Sequence, residues 1–97
     1  MTAVDEYIRP ALSDFMYHME RELRMNEDRG GWKQDDPRDL YMKAMKHIGR
    51  LGPLLSYQWT SNPDEIAKAA ASAANFLMMI HDKAKDQYDA SRVQSRV

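Results

Sequence analysis

The sequence predicts an all-α protein, a helical bundle, on three observations. Apolar residues recur at spacings of three and four, Asp36-Pro37 and Asn62-Pro63 have the form of helix starts, and the segment rich in alanine favours helix. At 97 residues the chain fits one domain, expected over 1–90 with 91–97 as a flexible tail. So short a domain buries only a modest fraction of its surface, so oligomerisation is expected to complete the core and the chain to form a homo-oligomer.

Leu12, Phe15, Met16, Met19 and Leu23 line one face of a first helix, predicted over Pro10–Met25, while Asp14, Glu20, Arg21 and Arg24 point elsewhere. Pro10 fits either the first helical position or a kink in a helix begun near Asp5. Asn26 to Asp35 is polar, holds Gly30-Gly31 ahead of Trp32, and reads as a loop. Asp36 then caps a second helix opened by Pro37, with Leu40, Tyr41, Ala44, Met45, Ile48 and Leu51 as its apolar face. Gly52-Pro53 is expected to end or kink it, because Pro53 has no N–H for Gly49, with a turn or two more through Leu54, Leu55 and Tyr57.

For the third helix, Asn62 serves as cap, Pro63 opens, and Glu65 is placed to complete a capping box. It is expected to pass Ile80 and reach about Tyr88, with Ala67, Ala70, Ala71, Ala73 and Ala74 permitting close helix approach. Ser91 to Val97 lacks periodicity and is expected to fray.

Composition excludes several classes. There is no cysteine, hence no disulfide, thiolate metal site or cysteine nucleophile. Fourteen basic against fifteen acidic residues leave a net charge of −1, which gives no global attraction to a nucleic acid duplex or an anionic membrane. The most apolar stretch, Ala69 to Ile80, is too short for a membrane span. Met1 to Tyr7 carries Asp5 and Glu6 where an export signal carries basic residues, so a cytoplasmic location is expected.

Four stretches taken together, in order and spacing, resemble the MazG-like branch of the all-α nucleotide pyrophosphohydrolases. They are Asn26-Glu27-Asp28-Arg29-Gly30-Gly31-Trp32, a helix ending in Leu51, Asn62-Pro63-Asp64-Glu65-Ile66, and Ala73-Ala74-Asn75-Phe76-Leu77-Met78-Met79-Ile80. The resemblance spans Met19 to Asp82 and implies a MazG-like bundle. In that family an E-x-x-E pair on the second helix and an E-x-x-D pair on the third hold magnesium, because residues three apart share a helical face and hard oxygens suit that ion. Aligned through Leu51 and Asn75, the first pair falls on His47 and Arg50 and the second on Ala69 and Ser72, so all four acids are replaced. Lys43 and Lys46 lie within a turn of His47 and add to the inversion. The resemblance therefore implies neither catalytic residues, nor a metal site, nor a cofactor.

Each residue singled out has two readings. Arg50, His47 and Lys46 fit direct phosphate binding, or a solvated helix face. Ala69 and Ser72 fit a decayed site filled by small residues, with Ser72 kept among the candidate ligand contacts. Trp32, beside Lys33, fits stacking on a base, or pinning the loop to the bundle. Asn75 fits a bond to base or ribose, or to a neighbouring backbone group. His18 and His81 stand alone and read as structural, and the methionines read as core filling.

Three functions follow in order. The first is a non-catalytic protein that captures a nucleotide or nucleotide-derived messenger, linear or cyclic, without hydrolysis; by resemblance it suits a phage anti-defence sponge acting in the host cytoplasm. The second is a helical interaction module with Tyr57 and Trp59 as anchors. The third is a metal-dependent pyrophosphohydrolase using Asp64, Glu65 and Asp82, disfavoured because Glu65 and Asp82 stand about 25 Å apart on one helix.

Overall fold

A computed structural model describes residues 8–26, 31–57, 59 and 61–95, the last six by backbone alone. Among them are three α-helices and no strand: α1 (Pro10–Met25), α2 (Pro37–Tyr57) and α3 (Pro63–Ser95). The proposed start near Asp5 and the loop residues 27–30 lie outside the described residues.

The helix starts follow from their chemistry. Arg9 is extended and Pro10 is the first helical residue, so within the described chain Pro10 opens α1. Asp36 caps α2: its Oδ1 accepts the Arg38 N–H at 2.8 Å, and its carbonyl accepts those of Asp39 and Leu40. The Asn62 carbonyl accepts the Ile66 N–H at 3.1 Å at the head of α3. Glu65 sends Oε2 across to Arg50 Nη2, 3.5 Å away.

One boundary falls within expectation and one differs. α2 does not end at Gly52-Pro53 but runs on through Leu54 and Leu55 to Tyr57, the further turn expected of it. Gly52 has no Cβ to clash with the following pyrrolidine ring, so the ladder loses one bond and resumes. α3 stays helical through Ser91–Ser95, where no glycine or proline stops it.

α3 is the centre. It packs against both α1 and α2, while among the described residues no Cα of α1 comes within 8 Å of α2. The buried side chains are small on α3 (Ala69, Ala71, Ala73, with Asn75 and Met79) and are Leu40 and Ala44 on α2; α1 buries none fully. On α2 the contact seam is Leu40, Ala44, His47, Leu51 and Leu54, spaced four and three apart as a packed helix requires. α1 turns Phe15, Met19 and Leu23 partly inward but leaves Leu12 and Met16 exposed, so three of the five residues of its predicted apolar face are used. The Asn75 amide also holds α1, donating from Nδ2 to the Met19 carbonyl at 2.9 Å.

Leu40 is the only large side chain fully buried among the described residues. Leu40→Ala is expected to destabilise the fold by about 3 kcal/mol, read as a lower urea midpoint by circular dichroism at unchanged slope. A change below about 0.5 kcal/mol would show that this seam does not hold α2.

Candidate functional site

Because α1 and α2 lean on α3 without meeting, a cleft of about 860 Å³ opens between them. That is the size of a small-ligand site. Its floor is one face of α3: Lys68, Ser72, Asn75 and Met79, at steps of four, three and four, with Phe76 beside them. α2 contributes Lys43, Lys46, His47 and Arg50; α1 contributes Glu20, Glu22, Leu23 and Met25; Gly31, Trp32 and Asp35 close one end.

Six of the seven residues marked in the sequence line this one cleft: Trp32, Lys46, His47, Arg50, Ser72 and Asn75. Lys33 does not. Its ammonium donates to Asp82 Oδ2 at 2.6 Å and Asp86 Oδ2 at 3.3 Å, and these bonds raise its pKa. The neighbouring Trp32 donates Nε1–H to the same Asp82 oxygen at 3.1 Å, and Lys83 donates to the Lys33 carbonyl at 2.7 Å. The tryptophan thus pins its loop to α3 while its ring forms part of the cleft wall. Asp82 is held below the usual carboxylate range by Lys33 first and Trp32 second.

Charge in the cleft is divided by element. The cations Lys43, Lys46, Arg50 and Lys68 come from α2 and α3, the carboxylates Glu20, Glu22 and Asp35 from α1 and the loop. Sequence reasoning overlooked Lys68, although its spacing of four from Ser72 and seven from Asn75 places all three on one face. It also overlooked Glu20, Glu22 and Phe76, the first two because only the packing of α1 on α3 brings them to the site.

His47 stacks on Phe76, ring centroids 5.5 Å apart and planes at 15°, and Lys43 Nζ sits 5.9 Å from the Phe76 centroid. Burial pushes the His47 pKa down, with Arg50 and Lys46 repelling the cation further and Glu22 opposing weakly. The imidazole is therefore neutral at pH 7. His47 Nδ1 and Asn75 Oδ1 are buried without a hydrogen-bond partner among the described residues. Both residues line the cleft, and an unmet buried polar atom costs about 1–3 kcal/mol.

Compared with known proteins, the chain matches no family model, no curated protein and no solved structure.

Two tests follow from this geometry. With Trp59→Phe leaving Trp32 as the single indole, Asp82→Ala is expected to shift the Trp32 emission to the red as the loop lifts; an unmoved spectrum would show the Asp82 bond to be dispensable. For His47 the folded pKa lies below the unfolded value of about 6.5, so as pH falls the unfolded chain takes up the proton first. Its contribution to stability is intact above that pH and is lost below it. Between pH 7 and 5 the urea midpoint is expected to fall further in the wild type than in His47→Gln, and equal falls would place the titration elsewhere.

Proposed function

We propose that this chain is a MazG-like protein without hydrolytic activity that captures a nucleotide or nucleotide-derived messenger, linear or cyclic, in the cleft of α1, α2 and α3. The observation that carries the reading is the division of charge across that cleft. Phosphate meets Lys43, Lys46, Arg50 and Lys68 on one side, where the Arg50 fork suits its oxygens. The amino edge of a base meets the acceptors Glu22 and Asp35 on the other, and Trp32 offers a face for stacking.

Capture without turnover is supported by the replacement of the family's four acids by His47, Arg50, Ala69 and Ser72. Asp82 is engaged with Lys33 and Trp32, and Glu65 with Arg50. Binding without hydrolysis suits a sponge or sensor; a phage protein that sequesters a host immune signal is the setting to which this reading extends. No helix is long and apolar enough to cross a membrane among the described residues, and action in the cytoplasm is part of the same proposal.

A second reading, a helical interaction module, draws on Tyr57 and Trp59, exposed by 85% and 62%. Ligand binding separates the two.

Calorimetric titration with linear and cyclic nucleotides is expected to show binding that persists in excess EDTA. Arg50→Ala should weaken it by about one to two decades, with Arg50→Lys recovering part and Arg24→Ala leaving it unchanged. Glu65→Gln, which releases Arg50 from its exposed pair, should tighten it slightly. If no nucleotide binds the wild type, the capture reading fails; if one binds Arg50→Ala equally well, the phosphate lies elsewhere.

A further inference from the structure

The acidic end of the cleft is one-sided in its hydrogen bonding. Its amide and indole donors are already engaged: Asn75 Nδ2 donates to the Met19 carbonyl at 2.9 Å, and Trp32 Nε1 donates to Asp82 Oδ2 at 3.1 Å. Because a carbonyl only accepts, the bond to Met19 fixes the Asn75 amide with its oxygen turned away from that carbonyl. This oxygen has no partner among the described residues, and Asn75 is only 4% exposed. Of the three carboxylates in the lining, Glu20 is paired with Arg24 at 3.1 Å. Glu22 and Asp35 are half-buried and carry no hydrogen bond or ion pair on their carboxylates among the described residues. The groups left open here are acceptors.

Glu22 is the best placed of them. It follows Met19 by three residues on α1, hence on the same face, one turn beyond the carbonyl that Asn75 holds. Its charge also favours a protonated His47 on α2, so it stands within electrostatic reach of that ring. Asp35 is tied to the aromatic face, its N–H donating to the Trp32 carbonyl at 3.0 Å. Resting on the capture reading, we infer that the cleft selects guanine, with the Glu22 carboxylate accepting both the N1–H and an N2–H of the base.

Guanine sets two N–H donors side by side on one edge, and a carboxylate has two oxygens to receive them, the two-pronged match that a guanidinium also makes. Adenine and cytosine set an amino group beside the lone pair of a ring nitrogen, and uracil sets its one N–H between two carbonyl oxygens. Each of these turns a lone pair toward a carboxylate oxygen, so the group that accepts guanine repels the others. An alkylammonium would also meet carboxylates and the face of Trp32. Lys43, Lys46, Arg50 and Lys68 outnumber Glu22 and Asp35 in the same cleft and oppose a cationic ligand. Guanine supplies the donors without the charge.

Calorimetric titration of the full chain with GTP, ITP, ATP and UTP tests the inference, because all four carry the same triphosphate and differ in the base. Cyclic di-GMP and cyclic di-AMP form a matching pair for cyclic ligands. In the series that binds, the guanine member is expected to be the tightest, with GTP about tenfold or more above ITP, which lacks only the N2 amino group. Glu22→Gln should weaken the guanine ligand by about one to two decades, leave ATP and UTP nearly unchanged, and remove the difference between GTP and ITP. Asp14→Asn, the same charge change at an exposed position of α1, should leave the order intact. Equal affinities across the bases, or a guanine preference that survives Glu22→Gln, would overturn the assignment and leave capture standing. Binding of none of these nucleotides would overturn both. If Glu22→Gln loses helicity by circular dichroism, the wild-type ratio of GTP to ITP decides, and a ratio near one sinks the inference.

Discussion

Close approach to α3 is the constraint from which the rest of the molecule follows. Ala69, Ala71 and Ala73 present almost no side chain, so two helices can lie against one without large residues to separate them. Helical spacing puts Ala69 and Ala73 on one flank and Ala71 with Asn75 on the other, and Asn75 bonds α1. α1 and α2 are thereby held to different flanks of a common support. The strip of α3 between the flanks is left uncovered, and its residues become the cleft floor.

This arrangement explains why the site is polar in a protein with few buried groups. Lys68 and Ser72 lie on the strip of α3 between its two neighbours, and Asn75, buried on the α1 flank, adjoins them in the cleft lining. The walls carry opposite charge because different helices supply them. Burial first, then Arg50 and Lys46, disfavour a charged His47, and Glu22 on the facing helix only partly offsets them. The result is an uncharged imidazole stacked on Phe76, set among permanent cations.

Much of this was legible in the sequence, and the reasons are local ones. The starts at Pro10, Pro37 and Pro63 follow from the fixed proline backbone, with Asp36 capping the second, and these depend on adjacent residues alone. Trp32, Lys46, His47, Arg50, Ser72 and Asn75 are grouped through the resemblance to the MazG-like proteins, and the described chain brings all six to one cleft. Lys33 could not be separated from them, since its two carboxylate partners lie 49 and 53 positions away. Glu20 and Glu22 were hidden for the same reason: nothing near them in sequence reports which side of α1 meets α3. The passage of α2 through Pro53 was open to local reasoning, since the missing side chain of Gly52 eases the proline into the helix.

The bond from Asn75 to the carbonyl of Met19 has a consequence for how such a chain can vary. A carbonyl is present whatever residue occupies position 19, so the position of α1 is recorded in its backbone. No side chain of α1 is fully buried to record it a second time. Away from Phe15, Met19 and Leu23, the first helix can thus take substitutions while keeping its place, and those at Glu20, Glu22 and Met25 would re-letter one wall of the cleft without moving it. Substitution would then be tolerated most on the α1 wall of the cleft and least along the alanine face of α3.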